Sequence, residues 1–239
     1  MTRLKLSVII PVYNEEAILE TAVRGLVGKL AQEGFAYELI LSENGSTDAT
    51  LTIARELARE LPHIRVLHGD APNYGRALRR GIEEARGELV VCDEIDLGDM
   101  DFYRRSIAML DGGIDLVVGS KRHPESDDSR PLLRKAGTAV ITTLLRVSVG
   151  FKGTDTHGLK AFRRSALMPI VAKCVVEHDI FASELVVRAS RAKVESREIP
   201  LRVREIRPPS IHLVQRVPRV LKNLVRLAQV IHFPPDDQA

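Results

Sequence analysis

Four acidic residues follow a short apolar run at residues 89–92, namely Asp93, Glu94, Asp96 and Asp99. Carboxylates this close together do not all stay ionised in a dry pocket unless a cation is present. Glu94 and Asp96 are two positions apart, so both side chains can point the same way in an extended segment. This spacing suits one divalent ion that takes its other ligands from phosphates and water. A solvated acidic loop is the alternative interpretation.

Residues 42–48 form a second polar segment after an apolar run, and their types suit a nucleotide. Glu43 and Asn44 can pair with the edge of a base or with a ribose. After Gly45, Ser46 can cap a following helix, whose free N–H groups favour an anion. The same residues are also common in ordinary turns.

A third polar segment at residues 73–76 contains Asn73, Gly75 and Arg76. Gly75 allows close approach to the backbone and Arg76 supplies a cation, although a turn at a helix start explains the same pattern. Together, the three segments indicate a nucleotide diphosphate with a bound metal ion. The chain has no GxxxxGK[ST] motif, and no GxGxxG follows its first apolar run. Kinases, ATPases and dinucleotide-dependent dehydrogenases are therefore disfavoured.

The elements that must position these segments alternate along the chain. Apolar runs that are typical of buried strands occupy residues 6–10, 38–41, 64–67, 89–92 and 116–118. Amphipathic helical patterns begin near Glu15, Ser46, Tyr74 and Phe102. This alternation predicts an α/β fold, in which a mostly parallel sheet is covered by helices on both faces. Ligands of such sheets bind at the carboxyl ends of the strands, where all three polar segments fall. We expect Asn14 to cap the first helix and Gly34 to end it.

The composition is that of a globular protein. Of the 239 residues, 44% are hydrophobic and 28% are charged, which argues against disorder. The formal net charge is +3, and four Tyr, six Phe and no Trp offer little for stacking on bases, so no nucleic-acid partner is expected. Cys92 and Cys174 have no partner at short spacing, which favours reduced thiols in the cytoplasm. We find neither a cleavable leader nor an apolar run of about 20 residues.

Five motifs occur in order along the chain. They are SVIIPVYNEE at 7–16, ENGSTD at 43–48, NYGRAL at 73–78, GSKR at 119–122 and DTHGLKAFRR at 155–164. Over about residues 5–205 they resemble the family 2 glycosyltransferases of the GT-A fold. The last motif is similar to a stretch found in the branch that makes polyprenyl-phosphate sugars. Together the motifs are far more specific than any one of them.

The resemblance implies transfer of a sugar, usually with inversion, from a UDP- or GDP-linked donor with the help of Mg²⁺ or Mn²⁺. It places Glu94 and Asp96 at the metal-binding Asp-x-Asp motif, and it makes Asp96 and Lys121 candidate catalytic residues near the departing diphosphate. The positions it implies for nucleotide binding are Pro11, Tyr13, Asn14, Glu15, Glu43, Asn44, Gly45, Ser46, Asn73, Gly75 and Ile95.

The chain departs from the family pattern at two places. Glu94 replaces the first Asp of the metal motif, so either its longer side chain reaches the ion or Asp93 takes that role. Glu43 and Asn44 replace a pair of Asp residues, which leaves the base of the donor open. A nucleotide-sugar-binding module without activity is an alternative that these changes allow.

The acceptor implied by the resemblance is a polyprenyl phosphate, and an acceptor with a soluble hydroxyl is the alternative. A phosphate is already ionised, whereas a hydroxyl needs a general base. The candidates for this base are Asp155, His157, Asp179 and Glu184. The candidates for holding an anionic acceptor are Arg130, Arg134, Arg207 and Ser210. Residues 123–130 have the composition of a mobile lid or of a solvated connection.

We expect a catalytic domain at residues 1–205, with a nucleotide-sugar half at 1–100 and an acceptor half at 101–205, followed by a basic segment at 206–239. Residues 206–235 carry five Lys and Arg and no acidic residue. From Pro218 onward their pattern predicts an amphipathic helix. This helix either packs on the sheet or lies on an anionic membrane surface through residues 216–232, on the inner face of the cell membrane. The oligomeric state stays open.

Overall fold

The computed structural model describes residues 4–156, 158–203 and 213–233; within these ranges, the side chains of residues 134, 179 and 213–217 are outside the description. The described residues form nine strands. In chain order these are β1 (Leu6–Val12), β2 (Tyr37–Glu43), β3 (Ile64–Leu67), β4 (Leu89–Cys92), β5 (Leu116–Ser120), β6 (Asp127–Asp128), β7 (Lys160–Arg163), β8 (Ser196–Pro200) and β9 (Arg202–Val203).

Helices connect most of these strands. They are α1 (Leu19–Leu30), α2 (Thr50–Glu60), α3 (Tyr74–Glu84), α4 (Met100–Asp111), α5 (Leu132–Val149), α6 (Arg164–Ala172), α7 (Phe181–Arg191) and α8 (Leu213–His232). Two single turns of 3₁₀-helix, Ala31–Glu33 and His178–Ile180, follow α1 and precede α7.

Seven strands form one sheet in the order β3-β2-β1-β4-β7-β5-β8. All neighbours are parallel except those of β7, which runs antiparallel to β4 and to β5. The mostly parallel α/β sheet expected from the sequence is therefore confirmed. The five expected strands are all present, and β7 joins the two expected halves of the chain into a single sheet.

The strands alternate their side chains between two cores, as the twofold period of a strand requires. Ile9, Ile40 and Val90 belong to one core, which α3, α5, α6, α7 and α8 cover. Val8, Leu39 and Val91 belong to the other core, which α1, α2 and α4 cover. Helices on both faces leave the carboxyl-end edge of β1, β2, β4 and β5 as the place where polar loops gather.

Several helix boundaries differ from those expected. α1 begins at Leu19 rather than near Glu15, and Ile18 rather than Asn14 precedes it. Asn14 instead has a φ of 53° and bonds to the loop after β2. α2 begins at Thr50, so Ser46 does not cap it. Gly34 does end the first helical segment, with a φ of 74° that suits glycine.

The C-terminal helix and the expected lid also differ from expectation. α8 begins at Leu213, so Pro218 lies inside it rather than in its first turn, and one backbone hydrogen bond of the helix is absent there. The segment 123–130 is tied down, because β6 pairs with β9 and the Ser126 hydroxyl donates to the Ser120 carbonyl oxygen at 2.6 Å. These contacts favour the solvated connection over the mobile lid.

Candidate functional site

The carboxyl-end edge of the sheet brings three of the predicted residues together. β4 leads towards Glu94 and β5 into Lys121, and the antiparallel β7 starts at the same edge at Lys160, five residues after Asp155. The ammonium of Lys121 lies 3.3 Å from Oε1 of Glu94. Its backbone N–H donates to Oδ2 of Asp155 at 3.1 Å. A cation and two carboxylates from three separate segments thus share one place.

Two of the four carboxylates after β4 are committed to the fold. Asp93 is buried, and it accepts hydrogen bonds from the Tyr103 hydroxyl and from the backbone N–H of Glu94. Burial raises the pKa of Asp93 to about 7. Asp99 caps α4 by accepting from the N–H groups of Asp101 and Phe102. Glu94 and Asp96, by contrast, are both partly exposed.

The donor set fits a small hard cation. Within the part of the chain that the structure describes, no three His, Cys, Asp or Glu residues form a ready-made metal cage. Two carboxylates alone suit Mg²⁺ or Mn²⁺, which usually bind one or two carboxylates and take substrate phosphates as further ligands. The carboxylate of Glu94 already attracts a positive charge, the ammonium of Lys121. Glu94 and Asp96 are thus the residues that would hold the ion.

A second lysine, which the sequence analysis did not single out, lies beside this group. Lys160 at the start of β7 is 3% exposed, and its ammonium donates to the carbonyl oxygen of Gly158 at 2.8 Å. Burial lowers the pKa of Lys160, although Asp155 and Glu94 oppose the shift. The sequence does place this lysine next to the apolar residues of a strand. That position could have singled it out, because an unpaired ammonium is seldom buried without a role.

The loop after β1 is bonded to the loop after β2. The backbone N–H of Asn14 donates to the Ser46 hydroxyl at 3.1 Å, and Oδ1 of Asn14 accepts from the N–H of Thr47 at 2.9 Å. Glu15 donates its N–H to Thr50. Asn14 and Ser46 therefore fix the relative position of the two loops. Tyr13 is 40% exposed at this edge, so its ring is available to a ligand.

Glu43 is fully buried, and its carboxylate is already occupied. It accepts from the N–H of Ser46, and its other oxygen lies 2.5 Å from Nδ1 of His68. Burial alone would raise the pKa of Glu43, but the hydrogen bonds from Ser46 and His68 lower it. Gly45 has a φ of 71°, and a Cβ atom there would lie 2.8 Å from the nitrogen of Ala71. These residues form the wall of the loop, and His68, which the sequence analysis missed, is exposed.

Asn73 connects the loops to the second half of the chain. Its backbone N–H donates to the Asn44 side chain at 2.7 Å, while Oδ1 accepts from the N–H groups of Arg76 and His178. Its amide nitrogen donates to Glu177. The close approach expected at Gly75 is present, but the partner is protein. A Cβ atom at Gly75 would lie 2.3 Å from the carbonyl oxygen of His178.

Glu184, a candidate base, lies inside the fold. Its carboxylate is fully buried, and it accepts from the N–H groups of Val175 and Val176 and from Arg188. These bonds fix the segment between α6 and α7, which is a structural role. His157, Arg207 and Ser210 lie outside the described residues, and for Arg134 and Asp179 only the backbone is described.

A shallow basic cleft adjoins Lys121 and the first turn of α5. Its lining includes Arg122, Ser126, Asp128, Arg130 and Lys135. Arg130 forms a two-point ion pair with Asp128, at 2.9 Å and 2.8 Å, and its remaining nitrogen donates to Thr138. The cleft thus holds several cations near the Lys121 end of the site, and one carboxylate orients Arg130.

Residues 7–170 match the family described as Glycosyl transferase family 2. The chain belongs to this family. It is 33% identical over 205 residues to Glycosyltransferase AglD of Haloferax volcanii, which covers 82% of this chain and 32% of the relative. It is 30% identical over 165 residues to an undecaprenyl-phosphate 4-deoxy-4-formamido-L-arabinose transferase of Salmonella paratyphi A, covering 67% of this chain and 49% of the relative. The chain therefore spans about a third to a half of the length of these relatives.

Two solved structures share the fold. Glucosyl-3-phosphoglycerate synthase from Mycobacterium tuberculosis, in complex with Mn²⁺, UDP-glucose and phosphoglyceric acid, superposes with a TM-score of 0.68 at 21% identity, covering 98% of this chain and 82% of that one. Mannosyl-3-phosphoglycerate synthase from Rubrobacter xylanophilus gives 0.70 at 16% identity, covering 99% and 76%. The expected GT-A fold is confirmed.

Proposed function

We propose that this chain transfers a sugar from a nucleotide diphosphate sugar to a polyprenyl phosphate at the surface of a membrane. The observation that carries the proposal is the contact of Lys121, after β5, with Glu94, which follows β4 two residues before Asp96, in a family 2 chain. The relatives support the acceptor, because one of them is named for an undecaprenyl phosphate substrate. A structural neighbour that holds Mn²⁺ and UDP-glucose supports the donor class and the metal.

In this mechanism each group has a separate task. Glu94 and Asp96 hold a Mg²⁺ or Mn²⁺ ion, which when bound supplies positive charge against the departing diphosphate. The Lys121 ammonium adds to that stabilisation. Asp155 positions Lys121 by accepting a hydrogen bond from the backbone N–H of Lys121. The nucleoside lies along Pro11, Tyr13, Asn14, Glu15 and Ile95. The wall of that site is formed by residues that mainly contact one another and residues 177–178. They are Glu43, Asn44, Gly45, Ser46, Asn73 and Gly75.

The two candidate bases whose side chains the structure describes favour a phosphate acceptor. Asp155 is fully buried and accepts from the Lys121 backbone, and Glu184 accepts from two backbone N–H groups and Arg188. A general base must reach the proton it removes, and these carboxylates are used within the protein. A phosphate oxygen needs no such base. The basic cleft of Arg122, Arg130 and Lys135 suits that phosphate, with Arg134, Arg207 and Ser210 as further candidates.

The surfaces of two neighbouring helices support the proposed contact with a membrane. Neither α5 nor α8 contains an acidic residue, although each has several basic ones. On α5, Leu133, Val140, Leu144 and Val147 are exposed along one helical face. On α8, Leu221 and Val225 are exposed, whereas Leu224, Leu227 and Ile231 pack into the core. Exposed apolar residues on helices that carry basic but no acidic residues suit an anionic lipid surface. No helix in the described ranges is long and apolar enough to span a bilayer.

The test is a transfer assay with purified protein. UDP- and GDP-linked sugars are supplied with Mn²⁺ or Mg²⁺ and a short polyprenyl phosphate in micelles, and the lipid-linked product is identified by mass spectrometry. Asp96→Ala is expected to lower the rate at least about 100-fold because it removes a metal ligand. Asp101→Ala is the matched control, since this carboxylate is exposed in the first turn of α4. Full activity of Asp96→Ala would remove the metal assignment.

The same assay separates the acceptor classes. Small hydroxyl compounds and a phosphate-bearing acid replace the lipid in parallel reactions. Transfer to the polyprenyl phosphate alone supports the proposal. Transfer only to a soluble hydroxyl contradicts it, as does nucleotide binding with no turnover on any acceptor, which is the behaviour of a binding module.

A further inference from the structure

The contact between Lys121 and Glu94 connects two groups with opposite tasks in the proposed function. Glu94 is a ligand for a divalent cation, yet the ammonium of Lys121 lies 3.3 Å from its Oε1. The Lys121 side chain is 8% exposed, and that of Glu94 is 38% exposed. Among the described residues, Glu94 is the ion-pair partner of Lys121. A positive charge on the chain therefore occupies the place to which a metal ion would be attracted.

A chain of hydrogen bonds holds the backbone of Lys121 in this position. β5 ends at Ser120, whose hydroxyl lies 2.6 Å from that of Thr154. The backbone N–H of Thr154 donates to Glu198 on β8 at 2.8 Å. Asp155, the next residue, accepts from the N–H of Lys121. The start of the lysine side chain is thus anchored, while its four-carbon chain leaves the ammonium free to change partner.

The second lysine of the site does not have this freedom. Lys160 lies within β7 at 3% exposure and donates to Gly158, two residues before it. It lies near Glu94 and Asp155, so two lysines and two carboxylates share the site before any ligand binds. A divalent ion added to this group meets two cations, and the movable one is Lys121.

We propose that Lys121 is an internal counter-ion that holds Glu94 in the metal-free protein and moves to the diphosphate when a nucleotide and its metal ion bind. The inference rests on the proposed function, because it assumes that Glu94 is a metal ligand. Metal binding alone must break the ion pair and leave a poorly hydrated ammonium without a partner. A diphosphate gives that ammonium a new anionic partner. Metal and nucleotide therefore bind with positive coupling, and the coupling is reciprocal.

Mn²⁺ affinity in the absence of nucleotide tests the inference. Free Mn²⁺ is measured by electron paramagnetic resonance while the wild type and Lys121→Met are titrated. Methionine keeps a similar length and packing but has no charge. We expect Lys121→Met to bind Mn²⁺ about two- to fivefold more tightly, the factor that corresponds to a partly exposed ion pair. Damage to the site would weaken binding, so the sign of the change separates the two explanations.

Lys29→Met is the matched control. Lys29 on α1 lies against the same loop, but its ammonium donates to the carbonyl oxygen of Gly98, at 3.4 Å, rather than to a carboxylate. Its removal changes the net charge near Glu94 equally without releasing that side chain. We expect its Mn²⁺ affinity to stay within about twofold of the wild type. Equal tightening in both variants would assign the effect to general electrostatics and overturn the inference, and so would unchanged or weaker binding by Lys121→Met.

A second measurement follows the coupling itself. The dissociation constant of UDP or GDP, whichever binds, is measured by calorimetry with and without Mn²⁺, corrected for metal–nucleotide complexes in solution. We expect the ratio of the two constants to be smaller in Lys121→Met than in the wild type. If no variant binds Mn²⁺ with or without nucleotide, the metal site and the inference both fail. If Lys121→Met tightens Mn²⁺ but no donor supports transfer, only the proposed function fails.

Discussion

The hydroxyl of Tyr103 donates a hydrogen bond of 2.5 Å to Oδ2 of Asp93, and both side chains are buried. Because Oδ1 accepts from the backbone N–H of Glu94, both oxygens of Asp93 face protein donors. The sequence left open whether Glu94 or Asp93 takes the first position of the metal motif. This geometry supports Glu94, whose side chain is partly exposed and lies beside Lys121.

The buried Asp93 predicts that stability depends on pH. Burial raises its pKa from 3.8 to about 7, so between these values the folded protein holds a proton that the unfolded chain releases. The free energy of unfolding must therefore fall as the pH rises through this range. Between pH 5 and pH 7.5 we expect the wild type to lose about 2 kcal/mol more than Asp93→Asn, as measured by urea unfolding without metal.

Two further variants check the source of this pH dependence. Asp101→Asn changes a carboxylate that is 59% exposed, and we expect it to follow the wild-type curve. Tyr103→Phe removes a donor that favours the ionised form of Asp93, so the fall in stability should extend to higher pH. Parallel stability curves for the wild type and Asp93→Asn would contradict the assignment.

The packing at Gly75 predicts a large effect for a single methyl group. A Cβ atom there would lie 2.3 Å from the carbonyl oxygen and 2.7 Å from the nitrogen of His178, which are backbone atoms. We expect Gly75→Ala to lower the free energy of unfolding by about 3 kcal/mol, the upper end for overpacking. Gly28→Ala is the control, because Gly28 lies in α1 with no neighbour within 4 Å. It should raise stability by up to about 1 kcal/mol, since alanine favours a helix.

The buried contacts of Glu184 predict that its substitution lowers stability without lowering the rate of sugar transfer. Its buried carboxylate neutralises Arg188, which is 12% exposed, and accepts from two backbone N–H groups. We expect Glu184→Gln to lower the free energy of unfolding by about 3 kcal/mol, because it leaves a mostly buried guanidinium without its counter-charge. At a temperature where the variant is folded, kcat should stay within about threefold of the wild type. A 100-fold loss of kcat in folded protein would restore Glu184 as a general base.

The sequence predicted the elements that depend on local pattern. Apolar runs located β1 to β5, and the rule that ligands lie at the carboxyl ends of strands brought Glu94 and Lys121 to one edge. The position of β7 could not be predicted, because four residues do not reveal that they pair antiparallel with β4 and β5. That pairing depends on contacts between residues far apart in the chain.

The partners of two predicted site residues are distant in the chain and could not be predicted from it. The carboxylate of Glu43 meets His68, 25 residues away. Asn73 bonds to Glu177 and to the backbone of His178, more than 100 residues away. Residue type and spacing indicate which groups can do chemistry. Only the packing shows which of them the fold has already used.

The basic residues of α8, which contains no acidic residue, predict that this helix binds anionic membranes. Arg219 and Lys222 lie on this helix beside the exposed Leu221 and Val225. Each basic residue near such a surface contributes about 1 kcal/mol, so the double variant Arg219→Glu/Lys222→Glu should bind at least about 30-fold more weakly. Co-sedimentation with vesicles that contain anionic lipid measures this loss, which should shrink at high salt because the attraction is screened.

An equal charge change elsewhere makes the result specific to this surface. Arg55 and Arg59 are exposed on α2, which covers the other face of the sheet, so Arg55→Glu/Arg59→Glu alters the net charge identically. If α8 lies on the membrane, this control should retain most of its binding while the α8 variant loses it. Equal losses would show that net charge alone drives association. Unchanged lipid binding by the α8 variant would instead mean that the basic side of this helix serves only the fold, and the polyprenyl acceptor would then need another route to the basic cleft.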